Sequence, residues 1–386
     1  MSGICQNCMG QYCASLKFSS QQESRIMRFC IAISSVFALA FLTTLVESAE
    51  IIEIGVVPGG QNSKAKGVSA DGKTVTGNSF TPQGLKIFRW TEQEGPVGLG
   101  NPELRNDIDV GGISADGNVI VGSIESGGEK AFRWTKQEGL REIEQPAGVT
   151  KSEAVAVSAD GNVVVGVFTK GSVVSGFKWT KQTGMVDLGR TPTGQYSEVF
   201  GISADGKVVT GTGTCKTHSG YCMLRWESSL EDLSNLEVKV KGVAGKGRSL
   251  SVDGKTIAGY STFFNNTAIR WNREEGFVSL GSLPRGDGTY DGQSFAYGIS
   301  DDGNVIVGSS ISRKARAFIW DKQSNQMKDL LPLLKKKKVK GAEDWFSIWN
   351  PVDISGNEND GYNIVGQGTI DNRERGFLIR GLKLKP

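Results

Sequence analysis

Histidine is almost absent from this chain. Among 386 residues there is one, His218. A Ser-His-Asp triad needs a histidine as its general base, and a multi-histidine metal site needs several. Since His218 lies between Cys215 and Cys222 in one short stretch, the sequence argues against both chemistries. It predicts no catalytic residue, no metal site and no other cofactor.

An excess of charge and helical periodicity are also lacking. The 44 Lys and Arg residues nearly balance the 41 Asp and Glu residues, which leaves a net charge of +3. A chain so close to neutrality is a poor candidate for binding nucleic acid. Glycine is frequent, with 52 residues, and proline is modest, with 10. Together with the missing helical period, this composition favours one large all-β domain.

What the chain has in abundance is one repeated motif. The string GISADGNVIVG at 112–122 returns nearly unchanged at 201–211 and at 298–308. Weaker copies lie at 67–77, 156–166, 249–259 and 352–366. The marker serines of the seven copies are Ser69, Ser114, Ser158, Ser203, Ser251, Ser300 and Ser355. Their spacing, 44 to 55 residues, is the period of the blades of a β-propeller.

Each copy predicts four short antiparallel strands, a to d. In the second copy, SADG at 114–117 is the tight turn between strands a and b. Phe132 and Trp134 are two residues apart in strand c, so they share one face. The same Phe–Trp pair recurs in the first, third and sixth copies, and each remaining copy keeps one of the two aromatic residues. We expect these aromatic residues to pack between blades.

The strand count predicts how the ring closes. The seventh copy has no strand d of its own, whereas Ile51–Val56 precedes any strand a. We therefore predict an all-β fold, a seven-bladed β-propeller of four-stranded antiparallel blades. Its last blade is closed by the N-terminal strand pairing with 376–380, which leaves no long open sheet edge. A parallel β-solenoid, the alternative, would not need this offset.

The motif resembles the bacterial extracellular HAF repeat. The resemblance rests on SADG at 114–117, AFRWT at 131–135, MVDLG at 185–189 and PGG at 58–60, and it covers about residues 50–380. The sequence departs from the pattern by lacking the histidine that names the repeat, since Lys130 or Gly176 stands near that place. The resemblance implies a secreted or surface protein and carries no catalytic residues over to this chain.

The N-terminal segment predicts export. Residues 27–49 combine one arginine, a long apolar run and small residues at the end, as a signal peptide does. A retained membrane anchor is the alternative. We expect residues 1–26 to be an untranslated or disordered extension, because Cys5, Cys8 and Cys13 lack a fourth metal ligand. The propeller then spans 50–386. It is expected in the periplasm, at the cell surface or outside the cell, with no membrane span after cleavage.

Cys215 and Cys222 predict a disulfide. They lie seven residues apart in the loop between strands b and c of the fourth blade, and an exported protein would oxidise them. A structural staple is favoured over a redox or metal site.

The irregular loops predict where the protein binds its partner. The a–b and c–d turns share one rim of a propeller, and they are repetitive here. The b–c loops and d–a crossings share the other, irregular rim, where binding is expected. The candidate ligand-binding residues are Lys335, Lys336, Lys337, Lys338, Trp345, Trp349, Arg313, Arg316, Phe263 and Phe264.

The sequence therefore predicts a binding scaffold that is a monomer. Its partner is expected to be a protein, a surface glycan or another envelope component, and the lysines would attract an anionic one. A solvated loop is the alternative for the lysines, and a covered blade seam for the tryptophans. The alternative function is a polysaccharide hydrolase or lyase with paired carboxylates at the central mouth. The acids predicted to approach that mouth are Asp107, Asp109, Glu153, Glu198, Asp287 and Asp291.

Overall fold

The structure is a computed structural model. It describes residues 48–100, 108–125, 127–192, 194, 196–215, 220–235, 245–262, 265–285, 288–289 and 292–385. The predictions for residues 1–26, and for the signal peptide up to residue 47, lie outside the described residues. So do those for Asp107, Phe263, Phe264, Asp287 and Asp291.

The described chain forms seven sheets of four antiparallel strands. Blade 1 contains β2 (Asn62–Val68), β3 (Thr74–Thr81), β4 (Gly84–Thr91) and β5 (Gly95–Gly98). Blade 2 contains β6 (Ile108–Ile113), β7 (Val119–Glu125), β8 (Glu129–Thr135) and β9 (Gly139–Glu142). Blade 3 contains β10 (Val149–Val157), β11 (Val164–Lys170), β12 (Val173–Thr180) and β13 (Gly184–Asp187).

The next three blades repeat this order. Blade 4 contains β14 (Ser197–Ile202), β15 (Val209–Thr214), β16 (Tyr221–Trp226) and β17 (Leu230–Asp232). Blade 5 contains β18 (Gly245–Leu250), β19 (Thr256–Ser261), β20 (Thr267–Asn272) and β21 (Gly276–Gly281). Blade 6 contains β22 (Gln293–Ile299), β23 (Val305–Ile311), β24 (Ala315–Asp321) and β25 (Gln326–Asp329).

Blade 7 is assembled from both ends of the propeller. It contains β26 (Trp345–Asn357), β27 (Gly361–Ile370), β28 (Arg373–Leu382) and, as its outer strand, β1 (Glu50–Glu53). Strand β1 pairs with β28 in the register Glu50 to Arg380 and Glu53 to Phe377. The seven-bladed propeller and its closure by the N-terminal strand are therefore confirmed.

The repeated SADG turn has a hydrogen-bonding reason. In blade 2 the hydroxyl of Ser114 donates to Oδ1 of Asp116 at 2.6 Å and accepts the backbone N–H of Val119 at 2.9 Å. Oδ1 of Asp116 also accepts the backbone N–H of Asn118 at 3.0 Å. Gly117 takes the left-handed conformation, with φ +70°, that completes the turn.

Backbone hydrogen bonds between these turns join neighbouring blades. The residue after the marker serine donates its N–H to the carbonyl of the same position in the next blade, as Ala115 does to Ala159 at 3.1 Å. The same bond links Ala70 to Ala115 and Ala159 to Ala204. Between blades 7 and 1 the hydroxyl of Ser355 donates to the carbonyl of Ser69 at 3.0 Å instead. The turns of this rim are therefore repetitive because each is hydrogen-bonded to the turn of the next blade.

The aromatic residues of strand c fill the blades, as predicted. Phe132 is fully buried, and Trp134 is 9% exposed. Gly122 of β7 explains the glycine that ends each VIVG string. A Cβ at this residue would lie 2.0 Å from the carbonyl oxygen of Asp109 and 2.9 Å from the ring of Phe132. The glycine therefore lets the backbone of β6 and the ring of Phe132 approach β7 closely.

The longest crossing, between blades 6 and 7, carries the one α-helix of the described residues, α1 (Leu330–Lys336). Leu330, Leu331 and Leu334 of this helix are buried. A short 3-10 helix, Ala342–Asp344, follows it. Among the described residues, no helix has the length and apolar character needed to cross a membrane.

Candidate functional site: the mouth of the central channel

The inner strand of each blade lines the central channel with every second side chain. Residues three and five positions before the marker serine face the channel, because side chains alternate along a strand. Each inner strand also has a β-bulge here, as between Val110 and Gly112 of β6. The first residues of the strand follow a d–a crossing, so they lie at the irregular rim.

Three rings of side chains follow from this geometry. The apolar ring, one position before each marker serine, consists of Val68, Ile113, Val157, Ile202, Leu250, Ile299 and Ile354. The middle ring, three positions before it, consists of Lys66, Gly111, Val155, Phe200, Arg248, Tyr297 and Val352. The outer ring, five positions before it, consists of Lys64, Asp109, Glu153, Glu198, Lys246, Phe295 and Asn350, of which all but Lys246 and Phe295 line the cavity described next.

The outer and middle rings surround a cavity of about 640 Å³, here called the mouth, to which all seven blades contribute. Ligand pockets have volumes of this order. A smaller cavity of about 270 Å³ lies where the apolar ring narrows the channel. The apolar ring thus forms an aliphatic belt in this smaller cavity, which Asp301 and Asp353 also line.

Three carboxylates occupy one side of the mouth. Asp109, Glu153 and Glu198 stand at the same outer-ring position of blades 2, 3 and 4, which confirms that these acids reach the central mouth. Oδ1 of Asp109 accepts a hydrogen bond from Nζ of Lys66 at 2.7 Å. Among the described residues, Glu153 has no ion-pair partner.

The environment of Glu153 raises the pKa of its carboxyl group to about 7. Burial is the main cause, and repulsion by Glu129, Asp109 and Glu198 adds to it, while Lys66 opposes the shift. On the next blade, the phenol of Tyr196 is hydrogen-bonded to Glu198. Burial and this bond raise the pKa of Tyr196 above its usual value.

Cations supported by aromatic rings flank the carboxylates. The guanidinium carbon of Arg248 lies 4.3 Å from the ring centroid of Phe200, and Nζ of Lys246 lies 4.7 Å from that of Tyr221. On the other side, Nζ of Lys64 lies 5.1 Å from the ring centroid of Phe80. Within the described ranges, no carboxylate lies at ion-pair distance from these three cations. Cation–π contact holds them instead.

Further aromatic side chains continue the wall across blades 5 and 6. The rings of Tyr260 and Phe295 meet edge to face at 4.9 Å, and Phe295 stacks parallel to Tyr297 at 6.5 Å. Tyr297 lines the mouth directly. The mouth therefore combines carboxylates, unpaired cations and aromatic faces.

The predicted lysines lie on the irregular rim, in the crossing between blades 6 and 7. Lys335, in the last turn of α1, pairs with Glu343 at 3.4 Å. Lys336, Lys337 and Lys338 are exposed. Their role in binding stays a prediction.

The stacking role predicted for Trp345 is wrong. Its side chain is 2% exposed and packs edge to face on Phe377, with ring centroids 5.8 Å apart. It covers the blade seam, which was the alternative. Trp349 is half-buried, and its carbonyl accepts the hydroxyl of Ser309 at 2.5 Å. The neighbour of Trp345, Phe346, is 80% exposed because successive strand residues point to opposite faces.

The two predicted arginines differ. Arg316 pairs with Asp329 at 3.3 Å and donates to the carbonyl of Pro284 at 2.6 Å, so it holds two crossings together. Arg313 is exposed in the b–c loop of blade 6. The predicted disulfide between Cys215 and Cys222 is present, with a Cα–Cα distance of 5.1 Å.

The sequence analysis missed Phe200 and Tyr297 as mouth residues. The signal that identifies them is their distance from the marker serine. Aligning the seven copies on that serine and comparing the third and fifth positions before it would have found the whole mouth.

Comparisons show the fold and leave the family open. No protein-family model and no curated protein matches the sequence, and the likeness to the HAF repeat stays a prediction. An oligogalacturonate lyase in complex with manganese is 10% identical, with a TM-score of 0.57 over 86% of this chain and 93% of that chain. The β-propeller domain of the trilobed protease from Pyrococcus furiosus is 12% identical, with a TM-score of 0.51 over 88% of this chain and 95% of that domain.

A third structure, TolB from Acinetobacter baumannii, is 17% identical, with a TM-score of 0.44. The alignment covers 69% of this chain and 62% of TolB, so the chain spans less than two thirds of that protein. The protease domain has an open velcro topology, whereas here β1 completes the last blade. At such low identity, the likenesses to the lyase and to the protease domain establish the propeller fold alone.

Proposed function

We propose that this chain is an exported binding protein that takes its ligand at the mouth of the central channel. The observation that carries the proposal is the contrast between the rings. The same seven strands present only aliphatic side chains one position before the marker serine, yet mostly charged or aromatic ones three and five positions before it. Packing of the propeller alone requires no such change.

The disulfide is compatible with an exported protein. The irregular rim places variable loops around the mouth, as expected where a regular scaffold binds its partner. The exposed Lys336, Lys337 and Lys338 lie on that rim and provide a second contact for an anionic partner.

A thermal-shift screen of the purified protein against defined peptides and oligosaccharides tests this proposal. Ligands that raise the melting temperature are then measured against Arg248→Gln and Glu198→Gln, with Lys337→Gln as the matched control on the rim. Loss of the shift in the mouth variants alone supports the proposal. A shift that survives both mouth variants and disappears in Lys337→Gln moves the site to the lysines and overturns it.

A second candidate, a polysaccharide hydrolase or lyase, is favoured by Glu153. A carboxyl group with a pKa near 7 exchanges its proton readily at neutral pH, as a general acid or base must. Asp109 and Glu198 are the neighbouring carboxylates that would complete a pair. Among the described residues, no three His, Cys, Asp or Glu side chains are placed to hold a metal ion, and this candidate uses none.

Incubation with acidic and neutral oligosaccharides, followed by chromatography of the products, tests for this activity. An enzyme of this kind loses turnover in Glu153→Gln. If the wild type leaves every substrate intact while still binding at the mouth, the carboxylates serve binding alone.

A further inference from the structure

The charges around the mouth do not neutralise one another. Of the charged residues in the outer and middle rings, Lys66 and Asp109 form an ion pair. In the described part of the chain, the cations Lys64, Lys246 and Arg248 rest on aromatic rings instead of on carboxylates. Glu153 and Glu198 face the same cavity, and Glu198 accepts a hydrogen bond from the neutral phenol of Tyr196.

The two signs come from different blades, and apart from Lys66 with Asp109 they form no ion pair in the described part of the chain. Glu153 and Glu198 come from blades 3 and 4, whereas Arg248 and Lys246 come from blade 5 and Lys64 comes from blade 1. A ligand of a single charge sign would satisfy one group and would desolvate the other without a partner. Burying a charge without a partner is unfavourable. The arrangement fits a ligand that carries both signs at a short spacing.

Arg248 gives the anionic end of such a ligand a defined partner. Its guanidinium is held over Phe200 at 4.3 Å. A guanidinium presents a planar fork of N–H donors, which matches the two oxygens of a carboxylate. A cationic group would lie against Glu153 and Glu198, and the faces of Phe200 and Tyr297 would contact the apolar part between the two charges.

We propose that the ligand of the mouth is a short zwitterionic peptide segment, with its ammonium group on Glu153 and Glu198 and its carboxylate on Arg248. The inference rests on the proposed function, since it names the ligand class for the same site. Peptides carry both charge signs within a few residues, whereas acidic polysaccharides carry one. An acidic oligosaccharide is therefore the competing outcome.

Three probes separate these possibilities in titration calorimetry at pH 8 and low salt. N-acetyl-Lys-Gly-Gly carries both charges, its C-terminal amide carries the ammonium alone, and N-acetyl-norleucyl-Gly-Gly carries the carboxylate alone. We expect the doubly charged peptide to bind at least about tenfold more tightly than either of the others, which corresponds to about 1.4 kcal/mol.

Variants assign the two ends. Arg248→Gln should reduce the affinity for the doubly charged peptide to that of the amide and leave the amide unchanged. Glu198→Gln should reduce it to that of the norleucyl peptide. Arg248→Lys, which keeps the charge without the planar fork, should retain part of the affinity. Circular dichroism confirms that each variant is folded, and Lys136→Gln, at an exposed turn of the regular rim, is the control that changes nothing.

Equal affinity for the doubly and singly charged peptides, or an equal loss for both lysyl peptides in Arg248→Gln, would overturn the inference. If none of the peptides binds but an acidic oligosaccharide does, and Arg248→Gln abolishes that binding, the peptide inference is wrong and the proposed function stands. If no ligand of either class responds to the mouth variants, both are wrong.

Discussion

Ile51 of the first strand lies opposite Ile379 of the last in the register that closes the propeller. Both side chains belong to one hydrophobic cluster with Leu330, Trp345 and Phe377. Outside this cluster, Glu50 and Arg380 form an ion pair at 2.5 Å. The ring is thus held closed by apolar packing on one face of β1 and by a charged pair beside it.

Closure by β1 predicts that Ile51→Ala destabilises the whole propeller. The side chain is 6% exposed, and truncating a buried isoleucine removes about 2–4 kcal/mol of unfolding free energy. Equilibrium denaturation in guanidinium chloride measures the loss. Ile52→Ala is the matched control, because Ile52 is only half-buried in the same strand. A loss no larger than that of the control would contradict a closing role for β1.

Much of this fold could be predicted from the sequence because every blade is built from the same repeated motif. The marker serine, the turn glycine and the aromatic residues of strand c recur at fixed positions. The strands assigned in one copy can therefore be assigned in the other six. The pairing of β1 with β28 followed from counting strands alone.

The mouth was harder to predict because its residues occupy the positions at which the copies differ. Arg248 is seen as a residue of the mouth only once blade 5 is placed next to Glu198 of blade 4 in the ring. Trp345 was misread for another reason. It begins β26, whose register shifts three times against β27, so its facing could not be derived from alternation.

The disulfide predicts a stabilisation of blade 4 that reduction removes. Cys215 and Cys222 close a loop of a few residues, for which the loss of chain entropy in the unfolded state corresponds to about 2 kcal/mol. Thermal unfolding with and without reductant measures it. A Cys215→Ser, Cys222→Ser double variant should match the reduced wild type and should not respond to reductant. A reduced wild type that melts unchanged would contradict the prediction.

Removing the hydroxyl of the serine in the SADG turn should lower the unfolding free energy, because it leaves a buried backbone N–H without an acceptor. Ser114→Ala removes the hydroxyl that accepts the N–H of Val119 in a buried environment. We expect a loss of about 1–3 kcal/mol in denaturation experiments. Asn118→Ala alters an exposed side chain of the same turn and should change stability by less than about 0.5 kcal/mol. Equal effects would show that the serine does not support the turn.

Glu153 predicts that the propeller loses stability as pH rises towards neutrality. Its carboxyl group has a pKa of about 7 in the folded protein against an ordinary value of 4.5, mainly because of burial. Below pH 4.5 the group is protonated in both states, so it contributes no pH dependence. Between pH 4.5 and 7 the unfolded chain releases the proton while the folded protein retains it, which favours unfolding. The loss is on the order of 3 kcal/mol and is complete above pH 7.

Denaturation of the wild type and Glu153→Gln at pH 5, 6, 7 and 8 checks this prediction. Glu153→Gln should remove this part of the pH dependence and should be more stable than the wild type at pH 8, because the amide does not ionise. Glu198→Gln is the matched control on the next blade. It keeps the pH dependence but makes it shallower, since the Glu198 charge contributes to the raised pKa of Glu153. If Glu153→Gln has the same pH dependence as the wild type, another group causes it, and the argument for a buried carboxyl group at the mouth fails.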